Sequence, residues 1–189
     1  QSVQGRGAAM AGLPRVAPAA LGLPCAAALA ACATTPVPGE ELLATATLLD
    51  TDGNPTGEAR LLGVGDRAEL AVTVEGLTPG EHGFHLHTTG RCALPDFKSA
   101  GGHLNPANKG HGLLDNDGSH LGDLPNLVVA ANGTASVQVP LDGTRTYVID
   151  QIFDADGTAV VIHADADDGR TDPSGNAGSR ERCGVLEQA

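Results

Sequence analysis

The chain has 189 residues, of which 41% are apolar, 2% are aromatic and 18% are charged, and its formal net charge is −12. This length allows one domain together with a leader or a tail. The acidic balance argues against a nucleic-acid partner, because proteins that bind nucleic acid are basic. With no Trp, one Tyr and three Phe, a core has to be built from Val, Leu, Ile and Ala.

The first 39 residues differ from the rest in charge, since Arg6 and Arg15 are their only charged side chains. After Met10, an early positive residue is followed by a small-apolar segment and then by small residues, which is typical of a secretory signal peptide. The segment is too short and too rich in proline to span a bilayer as a stable helix. We therefore predict a signal region at residues 1–31, in which residues 1–9 precede the natural start.

The motif "LAAC", residues 29–32, resembles the lipobox of bacterial lipoproteins. This resemblance implies cleavage before Cys32 and a diacylglycerol on its sulfur, so that residues 32–39 form a lipid-anchored tether to a membrane. The alternative is ordinary cleavage after the "ALA" of residues 28–30, with no lipid. Both alternatives predict an extracytoplasmic protein of the periplasm or the cell envelope, and the lipid-anchored form is favoured.

Export determines how the cysteines are interpreted. Cys25 leaves with the signal region and Cys32 carries the lipid, so that Cys92 and Cys183 remain in the mature domain. Two cysteines in an exported domain favour one disulfide. The alternative is a pair of buried free thiols, which an oxidising compartment disfavours.

The first half of the predicted domain contains four strands. Residues 41–50 and 57–77 predict three of them, and in "RAELAVTVE" Leu70, Val72 and Val74 share one face. "TPGEHGFHLH", residues 78–87, predicts a turn and a fourth strand. Residues 88–125 contain no convincing strand or helix, and a stretch of that length within a compact domain is expected to be functional or held in place.

The second half is also predicted to be β-structure. "NLVVAANGTASVQVP", residues 126–140, predicts a hairpin around Asn132-Gly133. "TAVVIHA", residues 158–164, predicts another strand, residues 166–182 a second loop, and "CGVLEQ", residues 183–188, a last short strand. Seven or eight strands with turns at this rhythm predict an all-β sandwich or barrel.

Six of the seven histidines are gathered on the two loops and on the strand ends that enter them. His85 and His87 are two residues apart on a predicted strand, so both point to one face and can meet one metal ion. His163 ends the "TAVVIH" strand, where the chain enters the second loop. His82 lies in the turn before the fourth strand and is given no role.

The long first loop carries a second group of candidate ligands. His103, His111 and His120 can converge only if this loop wraps around something, and Asp123 follows His120 by three residues. Histidines with a carboxylate suit tetrahedral zinc, and histidines without a thiolate or thioether also suit copper(II). The spacing therefore predicts two metal sites, one on the strand face and one within the loop.

Four stretches resemble motifs of the copper/zinc superoxide dismutase family, in the order of that family: "GLTPGEHGFHLH", "SAGGHLNP", "HLGDLPNLVV" and "GNAGSRERCGV". The second and third look most like the bacterial branch, and the resemblance covers about residues 40–187. It implies an eight-stranded Greek-key β-barrel or sandwich, immunoglobulin-like, with two long functional loops. Residues 40–189 would form the catalytic domain.

The resemblance also implies a ligand set for one copper and one zinc ion per chain. Copper would be bound by His85, His87, His103 and His163, and zinc by His103, His111, His120 and Asp123. His103 would then bridge the two metals, with one ring nitrogen on each.

Four further residues have counterparts in the family. Asp167 matches the carboxylate that links a copper ligand to a zinc ligand, which orients both rings. Arg180 resembles the active-site arginine that attracts and holds the superoxide anion. Cys92 and Cys183 match the family disulfide.

The reaction implied is the disproportionation of superoxide to oxygen and hydrogen peroxide. In the family's mechanism copper alternates between Cu(II) and Cu(I), and His103 carries a proton to the product; the expected role is protection of the cell envelope from superoxide outside the cytoplasm. One alternative is a metal-storage protein without turnover, which has no need of Arg180. Another is a zinc hydrolase, which needs an open zinc position. Whether the protein forms a homodimer is left open.

Overall fold

The structure is a computed structural model in which residues 39–189 are described. The predicted signal region, Cys32 and the tether up to residue 38 lie outside the described residues. The regular secondary structure of the described residues is almost entirely antiparallel β-strand, with one α-helix and one short 3-10 helix. Within residues 39–189, no helix has the length and apolar character needed to cross a membrane.

The described residues form ten strands, numbered in chain order, and the two functional loops predicted from the sequence follow the fifth and the eighth strand. The strands are β1 (Glu40–Asp50), β2 (Pro55–Val64), β3 (Arg67–Val74), β4 (Gly80–His82), β5 (Phe84–His87), β6 (Leu127–Val129), β7 (Ala135–Pro140), β8 (Ala159–His163), β9 (Arg180–Val185) and β10 (Glu187–Gln188). The α-helix, α1 (Arg145–Ile152), lies between β7 and β8, and the 3-10 helix (Lys98–Ala100) lies in the loop after β5.

Eight strands form one curled antiparallel sheet. Its hydrogen-bonded order is β5-β8-β9-β1-β2-β3-β7, with β10 added to β1, while β4 and β6 form a separate two-stranded sheet. The sheet closes into a half-barrel, which confirms the predicted all-β barrel or sandwich. The order also places β5, β8 and β9 side by side, and these three strands carry most of the residues of the candidate site.

The predicted alternation in β3 is confirmed. Leu70, Val72 and Val74 are all buried, while Thr73 between them is exposed. Their face joins a large aliphatic core that includes Phe84. Burial of apolar area at about 25 cal/mol per Å² makes this core the main source of stability.

The predicted fourth strand is confirmed as β5, but the turn predicted before it contains a further short strand, β4, which is separated from β5 by a break. Strand β4 pairs with β6, and β5 pairs with β8. The break falls at Gly83, where a Cβ atom would lie 2.9 Å from Ala177 Cβ and 3.2 Å from Asp167 Cβ. The second loop therefore crosses the chain so closely at this point that a side chain does not fit.

The predicted hairpin around Asn132-Gly133 is correct in its turn and wrong in its pairing. The Ala130 amide donates to the Thr134 carbonyl, and the Gly133 amide donates to the Ala130 carbonyl. Nevertheless, β6 pairs with β4, and β7 pairs with β3. A turn signal fixes only where the chain reverses, whereas the buried faces decide which strands pair.

Two further elements differ from the prediction. Helix α1 was not predicted, because Tyr147, Val148 and Ile149 have modest helix propensity; it is capped by the Thr144 side chain, which accepts from the Tyr147 amide. Strand β9 begins at Arg180 rather than Cys183. Arg180 therefore lies on a strand opposite His163 of β8, and not in the second loop.

Candidate metal centre

Strand β5 carries the first two histidines of the centre. His85 and His87 pair with Val161 and Ala159 of β8, and both are buried. Their side chains meet on one face, as the spacing of two residues predicts. His163 ends β8 at a register shift against β9, which turns its ring toward the same place.

The first loop runs alongside β5 and brings the other ligands to it. Two isolated β-bridges hold it there, one between His87 and His103 and one between His85 and Asp123. Between them the Leu86 amide donates to the Gly122 carbonyl at 3.0 Å. A Cβ atom at Gly122 would lie 2.3 Å from the Leu86 carbonyl oxygen, so this close approach requires glycine.

The first group of candidate ligands consists of four buried histidines whose ligand atoms lie within 4.8 Å of one another: His85, His87, His103 and His163. In each ring one nitrogen is hydrogen-bonded and the other is buried without a hydrogen-bond partner in the described structure. The unpartnered nitrogens are His85 Nδ1, His87 Nε2, His103 Nε2 and His163 Nε2. Each such atom costs about 1–3 kcal/mol if it stays unsatisfied, whereas four converging imidazole nitrogens suit copper(II). The residues therefore fit copper.

Burial keeps these histidines neutral. It lowers the pKa of His87 to about 2, of His163 to about 3 and of His103 to about 4. Burial also lowers the pKa of His85, although the hydrogen bond to Asp167 opposes it. The neutral imidazole is the form that binds a metal ion, so the centre is ready to bind metal at neutral pH.

The second group contains three histidines and one carboxylate, namely His103, His111, His120 and Asp123. The Nδ1 atoms of these histidines lie 2.8, 3.1 and 3.1 Å from Asp123 Oδ1. The other carboxylate oxygen, Oδ2, accepts from the amides of Gly112 and His120. Three imidazole nitrogens and one carboxylate oxygen, all within 4.8 Å of one another, provide the four ligands that a tetrahedral zinc ion takes. A zinc hydrolase, which needs an open position, is not supported by this arrangement.

Asp123 is ionised in this environment. Burial by itself would raise the pKa of its carboxyl group, but hydrogen bonds from His103 and from the Gly112 and His120 amides outweigh burial. The net effect holds the pKa of Asp123 well below its usual range. An ionised carboxylate is the form that a zinc ligand needs.

His103 belongs to both groups. Its Nδ1 faces Asp123 and the second group, while its Nε2 is one of the unpartnered nitrogens of the first group. One imidazole thus presents one nitrogen to each set of ligands. This is the arrangement that the predicted bridging role requires.

Asp167 connects the two groups, because its carboxylate is hydrogen-bonded to one histidine of each. Its Oδ2 accepts from His85 Nε2 at 2.6 Å, and its Oδ1 accepts from His111 Nε2 at 3.1 Å. Burial raises the pKa of Asp167, but the hydrogen bonds from His85 and from the Gly169 amide hold it below its ordinary value. The predicted link between His85 and His111 therefore has the contacts that it needs.

Arg180 lies at the opening of the centre. Its Nη1 donates to the Phe97 carbonyl at 2.7 Å, and its Nη2 donates to the Gly101 carbonyl at 2.6 Å. The same Gly101 carbonyl accepts from His87 Nδ1 at 3.0 Å. Half-buried Arg180 shares a pocket of about 370 Å³ with His87, His103 and His163 of the first group.

The predicted disulfide between Cys92 and Cys183 is confirmed. It joins the first loop to β9, at a cysteine three residues after Arg180. Cys183 is buried with Phe97, Ala100 and Val161 in a small cluster on the outer side of the sheet. The disulfide therefore anchors the loop segment whose carbonyl groups hold Arg180.

His82, for which the sequence analysis predicts no role, supports the first group through the main chain. Its Nδ1 lies 2.7 Å from the His163 carbonyl oxygen and its Nε2 lies 2.9 Å from the Thr78 carbonyl oxygen. The contact at Nδ1 ties the His82 ring to the main chain of His163. No sequence signal could have indicated this contact, because the two residues are 81 positions apart.

Known proteins share this arrangement of sequence and fold. The family model "copper/zinc superoxide dismutase" matches residues 56–186. The chain is 41% identical to copper/zinc superoxide dismutase 2 of Aquifex aeolicus (strain VF5), over 78% of this chain and 88% of that protein. It is also 41% identical to the copper/zinc superoxide dismutase of Caulobacter vibrioides (strain ATCC 19089 / CIP 103742 / CB 15), over 76% of this chain and 85% of that protein.

A solved structure shows the same likeness in three dimensions. A superoxide dismutase-like protein from Bacillus subtilis superposes with a TM-score of 0.71 and 38% sequence identity, covering 76% of this chain and 97% of that protein.

Proposed function

The chain belongs to the copper/zinc superoxide dismutase family, and we propose that it converts superoxide to oxygen and hydrogen peroxide at the centre formed by the two histidine groups. The observation that carries this proposal is His103, which presents Nε2 to one ligand set and Nδ1 to the other. The family uses copper and zinc. When bound, copper supplies one-electron redox chemistry between Cu(II) and Cu(I), and zinc occupies the closed second site.

Arg180 is proposed to attract and hold the superoxide anion. Two carbonyl oxygens fix its guanidinium group beside His87, at the mouth of the pocket. Although the protein as a whole is strongly acidic, a cation held in a narrow polar site can oppose that field locally. Because the positive charge is already in place when the anion binds, the protein does not have to reorganise during the reaction.

His103 is proposed to hold the proton that the product needs. His103 lines the same pocket as Arg180, while its Nδ1 contacts Asp123 of the second group. The ring is therefore fixed at Nδ1, while its buried Nε2 faces the first group and is the atom at which the proton is proposed to be carried. Asp167 keeps the neighbouring rings of His85 and His111 in orientation.

The experiment that tests this function measures superoxide loss with the protein carrying one copper and one zinc ion per chain. We expect copper-dependent dismutation at a rate near the diffusion ceiling of about 10⁸–10⁹ M⁻¹s⁻¹, with protein loaded with zinc alone as the control. If the copper- and zinc-loaded protein is no faster than this control, the chain stores metal without turnover.

We also propose that the enzyme acts outside the cytoplasm and protects the cell envelope from superoxide there. The support is the signal pattern of residues 1–31 and the lipobox-like "LAAC" that ends at Cys32. Mass spectrometry of the mature N-terminus tests the anchor: a diacylglycerol on Cys32 is expected, and an unmodified terminus after Ala30 would contradict it. Sedimentation velocity of the mature protein distinguishes a monomer from a homodimer.

A further inference from the structure

We propose that Asn126 is a positioning residue of the metal centre, which acts by fixing the main chain of Asp167. Asn126 Nδ2 donates to the Asp167 carbonyl at 2.9 Å, and Asn126 Oδ1 accepts from the Asp167 amide at 2.9 Å. One side-chain amide thus pairs with both main-chain polar groups of a single residue. The inference rests on the metal sites of the proposed function.

The position of Asp167 needs such support because the residue lies in the second loop, outside any strand. Its carboxylate has to meet His85 Nε2 and His111 Nε2 at the same time, at 2.6 and 3.1 Å. Each of these histidines belongs to a different ligand group. A shift of the Asp167 main chain would therefore loosen one ring in each group.

Asn126 is itself held firmly by its neighbours in the chain. Leu124 and Leu127 on either side are buried in the main core, at 5% and 1% exposure, and Leu127 begins β6. Asp123 of the second ligand group lies three residues before Asn126. The segment from Asp123 to Leu127 thus provides one carboxylate directly and fixes the other, that of Asp167, through Asn126.

The double hydrogen bond demands a side chain that has one donor and one acceptor in the same plane. Asparagine has both, whereas an ionised aspartate of the same size has acceptors only. The variant N126D would keep an acceptor for the Asp167 amide and place an oxygen against the Asp167 carbonyl oxygen. Space and shape are preserved in N126D, so this variant separates the hydrogen-bonding role from simple packing.

The test measures zinc release from the full, metal-loaded chain into a chelator, together with the visible absorption of cobalt(II) bound in place of zinc. Loss of a residue that orients metal ligands typically weakens metal binding about 10–100-fold, so we expect zinc release about tenfold faster in both N126A and N126D. The cobalt(II) spectrum should change in the same two variants. D167N, which removes the carboxylate charge itself, serves as the positive reference.

The control is N132A, which removes an asparagine whose Oδ1 accepts from Thr134 Oγ1 at 2.8 Å in an exposed turn far from the ligands. N132A should change the melting temperature of the metal-free protein at most, and leave zinc release and the cobalt(II) spectrum as in the wild type. Wild-type zinc release in N126D, or a cobalt(II) spectrum unchanged in N126A, overturns the proposal. Dismutation does not enter these measurements, so a protein that holds zinc without turnover would refute the proposed function and leave this inference standing.

Discussion

At the scale of single residues, the hydrogen bond on one ring nitrogen decides which nitrogen is left for metal. His85 is hydrogen-bonded to Asp167 through Nε2, so its Nδ1 is the atom available to a metal ion. His87 is hydrogen-bonded to the Gly101 carbonyl through Nδ1, so its Nε2 is the available atom. The resemblance of the sequence motifs predicted which residues form each group. It could not predict the donor atoms, nor the roles of His82 and Asn126, because these depend on contacts to main-chain groups far away in the sequence.

The residue that is proposed to face the substrate gives the first prediction. Replacing Arg180 with Ile should lower the dismutation rate at least about tenfold, because the fixed cation that concentrates the anion is lost. Metal content should stay at one copper and one zinc per chain, since Arg180 is not in either ligand group. Superoxide decay and metal analysis on the same sample check both statements.

Arg170→Ile is the matched control for this prediction. Arg170 is exposed on the second loop and donates to the Leu114 carbonyl, away from the pocket that Arg180 lines. The substitution of Arg170 removes the same charge as that of Arg180. Because Arg170 lies away from the pocket, its loss should change the dismutation rate much less. Equal rates for R180I and the wild type would remove Arg180 from the mechanism.

At the scale of elements, the sequence predicted most strands correctly and their partners less well. Alternation located β3, and the Asn132-Gly133 signal located a real turn. Strand β4 was missed, since the sequence predicted only a turn there. Its separation from β5 depends on the second loop crossing at Gly83, where the contacting Ala177 is nearly a hundred positions away in the sequence. Local patterns locate the strands and turns, and contacts between distant segments decide which strands pair.

Gly83 provides the prediction for this crossing. Gly83→Ala should destabilise the protein by about 1–3 kcal/mol, because the new Cβ overpacks against Ala177 and Asp167. Urea unfolding measures the change. Gly110→Ala is the control, since a Cβ there meets its nearest atoms at an ordinary 3.8 Å. If G83A is as stable as G110A, the crossing is not tight.

The disulfide provides a second prediction for the elements. Replacing Cys92 and Cys183 together with Ser should lower the free energy of unfolding by up to about 4–5 kcal/mol in the chain-entropy model, since the bond closes a span of 91 positions. The dismutation rate should also fall, because the loop that presents the Phe97 and Gly101 carbonyls to Arg180 loses its anchor. An unfolding free energy equal to that of the oxidised wild type would contradict this account.

At the scale of the whole molecule, the buried histidines should make the metal-free protein sensitive to acid. Their folded pKa values, about 3 for His163 and about 4 for His103, lie below the ordinary 6.5. Below pH 6.5 the unfolded chain therefore binds protons that the folded protein does not, and stability falls as the pH falls toward 4.

Melting temperatures of the metal-free protein between pH 7.5 and 4.5 check this prediction. We expect a continuous decrease with acidification in the metal-free protein, and higher melting temperatures that also decrease with acidification when copper and zinc are bound, because metal binding requires the unprotonated ligands. A melting temperature that stays level or rises as the pH falls through 6.5 would show that these histidines are not buried in the neutral form.

The shared histidine is the central claim, and it has a direct test in the copper(II) electron paramagnetic resonance spectrum with cobalt(II) in the second site. If His103 binds copper through Nε2 and cobalt through Nδ1, the two paramagnetic ions couple through one ring. The copper(II) signal of the copper/cobalt protein should then be largely lost relative to the copper/zinc protein. A full copper(II) signal with one copper and one cobalt bound per chain would contradict the shared ligand.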